Sequence, residues 1–201
     1  MATATAGTPA VTAPLLEADC VAKRYGGRQV LAAASLRAVA GRVTAMVGRN
    51  GAGKSTLLRI ITGSVGADTG YVRLRGTTLL SPTLAGLASE GVFFLPDRDL
   101  LHPRFSVGTQ IQATADAFCI PVDVPAIARL LGITECVARR PCSLSGGERR
   151  RAELAVAIAR HPAVLIADEP LRGLAPIDAG AILHALSTFA RAGGATSGAV
   201  S

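Results

Sequence analysis

The segment Gly48-Arg49-Asn50-Gly51-Ala52-Gly53-Lys54-Ser55-Thr56 constrains this chain more than any other. It satisfies G-x-x-x-x-G-K-[ST], and its flanks match what that pattern needs. The apolar run Val43-Thr44-Ala45-Met46-Val47 before it reads as a strand. Leu57, Leu58, Ile60 and Ile61 follow at helical spacing, which predicts a helix over residues 54–62. Between them the glycines let the backbone curl until successive N–H groups converge on one point. The helix turns its positive dipole end toward that point, so an anion fits there. Lys54 adds a point charge, and the Ser55 hydroxyl is a suitable Mg²⁺ ligand. A Gly-rich turn without a ligand is the plainer reading, but a chance match is on the order of one per cent, before the flanks are counted. The segment predicts a nucleoside triphosphate site.

A chain of 201 residues suits one domain with room for a smaller subdomain. Hydrophobic residues make up 49% and aromatics only 3%, so the interior is expected to be Ala, Leu, Val and Ile. No run approaches the roughly 18 apolar residues of a spanning helix. Residues 1–14 are small and polar, lack the regions of a secretory signal, and read as a disordered tail. The formal charge of +7 raises nucleic acid as a partner. Yet nineteen of the 21 basic residues are Arg, scattered except for Arg149-Arg150-Arg151, with no basic stripe interleaved with aromatics. Nucleic acid is therefore disfavoured, and an acidic membrane surface or protein fits the charge better. Cys20, Cys119, Cys136 and Cys142 form no C-x-x-C pair, which argues for reduced thiols over a zinc site or disulfides.

Strands are expected over 16–23, 32–39, 43–47, 71–74, 92–95 and 164–167, and helices over 54–62, 84–88, 147–160 and 179–191. A helical stretch over 107–137 is interrupted by Pro121 and Pro125. Strands alternating with helices imply an α/β fold with a mostly parallel sheet and an inserted helical block.

Val164-Leu165-Ile166-Ala167-Asp168-Glu169 is an apolar strand ending in two carboxylates. In an open parallel sheet ligands sit at the carboxyl ends of strands, where the phosphate loop also lies. Asp168 can then reach the Mg²⁺ shell, and Glu169 can accept a proton from an attacking water. Two acids merely capping a strand is the plainer alternative. Leu144-Ser145-Gly146-Gly147-Glu148 opens the helix that follows. Ser145 and Glu148 form a capping box. Consecutive glycines at a helix start cost stability unless a ligand must approach the backbone closely, which marks Ser145, Gly146 and Gly147 as candidate binding residues.

With the phosphate loop, that pentapeptide resembles the signature of ATP-binding cassette (ABC) proteins. The resemblance covers about residues 15–190, with the motifs in the order and spacing of transporter nucleotide-binding domains. It implies a P-loop NTPase fold with an N-terminal antiparallel β portion, an ATP-binding domain over 15–192, a helical subdomain at about 98–150 and a disordered or truncated end over 193–201. It implies ATP and Mg²⁺, and a head-to-tail dimer in which the phosphate loop of one chain and the signature of the other sandwich each nucleotide. It also implies a membrane permease as partner, hence a place on the inner face of the cell membrane.

By the same resemblance Tyr25 matches the aromatic that stacks on adenine. Asp97 stands where the family usually has Gln, able to orient water or touch the metal over a shorter reach. That acid and the segment 101–107 look most like the branched-chain amino-acid importer and lipopolysaccharide-export type. Ala175 replaces an Asp of the loop after the acidic pair. The family's switch histidine should follow another apolar strand after Arg191, but residues 193–201 are Gly, Ala, Ser, Thr and Val, read here as frayed. His102, His161 and His184 do not fit the role. An ATPase that powers a permease, with hydrolysis impaired by the missing histidine, is the expectation; a hydrolysis-deficient regulatory ABC protein is the alternative.

Overall fold

The structure is a computed structural model that describes residues 13–49, 51–97, 99–193 and, for the backbone alone, 195–200. Two sheets share its strands. Strands β1 (Leu16–Tyr25) and β2 (Arg28–Ala38) form a hairpin whose turn, Gly26-Gly27, has φ of 51° and 83°. Positive φ at both central residues matches the twist of a two-residue hairpin, and glycine adopts it freely. β1 also pairs antiparallel with β4 (Thr69–Leu74), which pairs with β5 (Thr77–Leu79), giving the order β2-β1-β4-β5. The register of β1 shifts between Ala18 and Val21, with Cys20 at φ 48°. This bulge lets Leu16, Ala18 and Val21 all be buried, although simple alternation would turn Val21 outward. Three-residue β5 shows too little alternation to be seen in the sequence.

The second sheet is parallel, in the order β3-β8-β7-β6, from β3 (Val43–Val47), β6 (Val92–Leu95), β7 (Val164–Asp168) and β8 (Ala195–Val200). Here one expectation is corrected. The end read as frayed forms β8, which runs between β3 and β7, in register from Val43↔Thr196 to Val47↔Val200. Hydrogen-bond ladders on both sides hold this backbone despite the low strand preference of Gly, Ser and Ala, because strand formation depends strongly on context.

Helices α1 (Lys54–Ile61) and α2 (Leu84–Ser89) serve a core made with the antiparallel sheet, including Leu57, Leu58, Ile60, Ile61 and Leu87. The stretch expected to be helical over 107–137 is α3 (Val107–Asp116), α4 (Val124–Leu130) and a 3₁₀ turn at Thr134–Cys136. Asp123 caps α4, and Pro125 sits in its first turn, where a missing N–H costs nothing. α5 (Gly146–Ala159) is buried along all of Ala152–Ala159, since it lies between this helical block and the parallel sheet. α6 (Pro176–Arg191) covers the same core with Ile182, Ala185 and Leu186.

Candidate functional site

β3 leads into the loop that ends at Gly53, the N-cap of α1. Gly51 and Gly53 have φ of 82° and 93°, a region that L side chains avoid. Gly53 is also pressed on β2: a Cβ there would stand 2.7 Å from Leu31 Cδ2 and 2.8 Å from the Val30 carbonyl. Because Gly53 is the N-cap of α1, no side chain accepts from the first amides, and no acid occupies the first turn. By contrast, Thr83, Ser106, Asp123 and Ser145 cap α2 to α5. The uncapped donors of α1 are what an anion needs. Asn50 lies outside the described residues.

The acidic pair meets this loop. Ser55 Oγ donates to Asp168 Oδ1 at 3.1 Å, and Lys54 Nζ lies 3.9 Å from Glu169 Oε1. Lys54 also donates to the Gly48 carbonyl at 2.6 Å, folding its ammonium over the loop. Burial pushes the Asp168 carboxyl above its ordinary pKa; the Ser55 hydrogen bond pulls it down, while the charges of Asp97 and Glu169 push it up. A buried carboxylate among other carboxylates favours a divalent cation. The Ser55 hydroxyl and Asp168 are the hard oxygen donors Mg²⁺ prefers, so these residues fit that ion. Among the described residues no group of three His, Cys, Asp or Glu could hold a metal, so an ion here would complete its shell with phosphate oxygens and water. Glu169 has φ 48°, a conformation that costs a non-glycine residue energy and clusters at functional sites.

Tyr25 ends β1 and is 47% exposed, so it is not a core tyrosine. With Arg28, Gln29, Gly51, Lys54 and Glu169 it lines a cavity of about 580 Å³, within the usual range of a small-molecule site. Thr56 and Ala52 line the same cavity. Asp97 follows β6 and lines a neighbouring cavity of about 650 Å³ with Ser55 and Asp168, but its carboxylate is ion-paired with Arg172. Among the described residues no histidine lines either cavity.

Ser145, Gly146 and Gly147 stand apart from the phosphate-loop cavity. Ser145 caps α5, and both bonds of the capping box with Glu148 are present. The two glycines differ. A Cβ at Gly146 would meet nothing within 4 Å, whereas at Gly147 it would stand 2.3 Å from Asp178 Oδ2 of α6. Gly147 makes room for a carboxylate of its own chain. Of the two glycines, Gly146 is the one open to an outside group.

The Arg149-Arg150-Arg151 run divides three ways. Arg149 pairs with Asp99, Arg151 with Asp178, and Arg150 with Glu153. Arg150 also donates to the Asp168 carbonyl at 2.9 Å and the Pro96 carbonyl at 2.9 Å. Sequence reasoning saw only a basic cluster here; the missing signal was that consecutive positions of α5 point in different directions, each to its own partner.

The ABC transporter family matches residues 31–172. An Fe(3+) ions import ATP-binding protein of Rhodococcus jostii is 35% identical over 166 residues, which cover 79% of this chain and 46% of the relative. A Nod factor export ATP-binding protein of Rhizobium etli is 34% identical over 161 residues, covering 78% of this chain and 50% of the relative. The chain thus spans about half the length of these curated relatives. A solved ATP-binding cassette of an ABC transporter, in its ADP conformation, superposes with a TM-score of 0.78 at 26% identity, covering 94% of this chain and 81% of that one.

Proposed function

This chain belongs to the ABC transporter family, and from that premise we propose that it binds and hydrolyses ATP to drive a separate membrane permease. The observation that carries the reading is the meeting of the phosphate loop with the acidic pair, through Ser55–Asp168 and Lys54–Glu169. The amides of residues 48–56 and the Lys54 ammonium hold the phosphates, and Tyr25 stacks on the adenine. Ser55 and Asp168 hold Mg²⁺, which when bound neutralises phosphate charge. Glu169 accepts the proton of the attacking water. Asp97 orients that water or touches the metal once it leaves Arg172. Ser145, Gly146 and Gly147 contact the nucleotide held by a second ABC domain, head to tail; the open space at Gly146 supports this.

Among the described residues no helix is long and apolar enough to cross a membrane. The place we propose is the inner face of the cell membrane, reached through the permease. The two relatives are named for import of Fe(3+) and export of Nod factor, so cargo and direction differ between them. They lend no support to the branched-chain amino-acid or lipopolysaccharide-export type, and the reading narrows to the ATP-binding subunit itself.

Lys54→Ala tests it. Titration with a fluorescent ATP analogue should show tight binding in the parent and none in the variant, because the phosphates lose their charged partner. A folded variant with parental affinity would overturn the assignment. Phosphate release at saturating Mg·ATP then separates an ATPase from a protein that only binds.

A further inference from the structure

Arg150 lies on the second turn of α5, and its guanidinium reaches two loops at once. Nη2 donates to the Asp168 carbonyl at 2.9 Å, Nη1 to the Pro96 carbonyl at 2.9 Å, and Nε to the Pro170 carbonyl at 3.4 Å. Glu153, one turn further along α5, pairs with Nη1 at 2.8 Å and accepts from the Leu100 amide at 3.2 Å. Both side chains are nearly buried, at 11% and 4% exposure, so water competes little for these bonds. A planar fork with five donors suits several diverging acceptors; an ammonium, with its donors on one nitrogen, does not.

Which carbonyls are held matters more than their number. The Asp168 carbonyl belongs to the peptide that joins Asp168 to Glu169, and the orientation of that peptide sets the φ of Glu169. That φ is +48°, in the left-handed region, where a glutamate stays only if its surroundings hold it. Freed from Arg150, the peptide can turn and relax Glu169 to negative φ, carrying its carboxylate away from Lys54, now 3.9 Å distant. The Pro96 carbonyl likewise immediately precedes Asp97. Arg150 also stands four residues after Gly146, on the same helix.

We propose that Arg150 is a positioning residue that holds the Asp168–Glu169 peptide so that the Glu169 carboxylate faces the phosphate loop, and that links this placement to the start of α5. The catalytic consequence rests on the reading of Glu169 as the base; the placement itself does not. The test compares the parent with Arg150→Lys and Arg150→Met, the latter keeping most of the apolar stem. Three quantities are read: affinity for a fluorescent ATP analogue, kcat for phosphate release, and hydrogen–deuterium exchange without nucleotide. Affinity should stay within about twofold, while kcat falls roughly 10- to 100-fold, the scale of lost hydrogen bonds to a charged group. Exchange should quicken about tenfold or more at residues 96–100 and 168–172, with α1 unchanged, in both variants. If Arg150→Met does not fold, Arg150→Lys carries the comparison. Loss of affinity and kcat together, exchange rising evenly along the chain, or full rescue by lysine would each overturn the proposal. A parent without turnover would defeat the hydrolysis reading alone, and the exchange pattern would then decide the placement.

Discussion

Gly147→Ala and Gly146→Ala should behave oppositely, although the two residues are neighbours in one motif. A Cβ at Gly147 would lie 2.3 Å from Asp178 Oδ2, 2.6 Å from its Cγ and 2.9 Å from Oδ1. Relief requires the Asp178 carboxylate to move by about 1 Å or more, which disturbs its ion pair with Arg151. The Arg151 side chain is 14% exposed, and its Nε already has no hydrogen-bond partner among the described residues. Losing a hydrogen bond to a charged group costs about 1.5–3 kcal/mol. Removing a glycine from the unfolded chain returns about 0.4–1 kcal/mol at a helical position. The net loss is about 1–2 kcal/mol, and at roughly 2–4 °C per kcal/mol for a chain of this size the Tm should fall by about 2–8 °C. Gly146→Ala, facing open space, should leave the Tm unchanged or slightly raised. Circular dichroism melts of the nucleotide-free chain read both. In an Asp178→Ala background Gly147→Ala should cost little further, since the two changes act on one contact. Equal melting temperatures for the two single variants would refute the claim that Gly147 is required from inside the chain.

Asp168→Asn should raise the Tm of the metal-free chain at neutral pH. Burial lifts the Asp168 pKa, so the native state prefers the protonated acid, and the stability this adds at low pH is lost as pH rises through the folded value. The gain from Asn should therefore shrink as pH falls toward the carboxylate range; a gain constant with pH would contradict it. Tyr25→Ala should weaken ATP binding roughly 5- to 150-fold, the equivalent of one stacked base at about 1–3 kcal/mol, while an unchanged Kd would remove Tyr25 from the site. Glu169→Gln should keep ATP affinity and accumulate a dimer with Mg·ATP in size-exclusion chromatography; a monomer that hydrolyses at the parental rate would show that Glu169 is not the base.

Much of the fold is legible because local signals agreed with tertiary needs. The apolar runs 43–47, 92–95 and 164–168 are buried or paired parallel strands, and such strands need no alternation to be recognised. The meeting of Lys54 and Ser55 with the acidic pair followed from sheet topology, which brings carboxyl strand ends to one edge. What escaped the sequence has no local signature. β8 exists because β3 and β7 flank it, and the backbone ladders are blind to its Gly and Ser content. The Arg150 contacts depend on where α5 crosses the loops after β6 and β7. The packing of Gly147 against Asp178 has no local signature either, because it depends on where α6 lies against the start of α5.

The placement of β8 also sets the order in which this molecule can be completed as it is made. Every strand of the antiparallel sheet has been synthesised once residue 79 emerges. Among the described residues β3 gains its parallel neighbour only when residues 195–200 follow, because β8 stands between it and β7. At roughly 5–20 residues per second, those further ~120 residues take about 6–24 s. Throughout that interval the strand that feeds the phosphate loop presents unpaired N–H and C=O groups along an edge, which is the arrangement most open to pairing with another nascent chain. A ribosome paused after β7 would carry a finished antiparallel sheet beside a parallel one split in two.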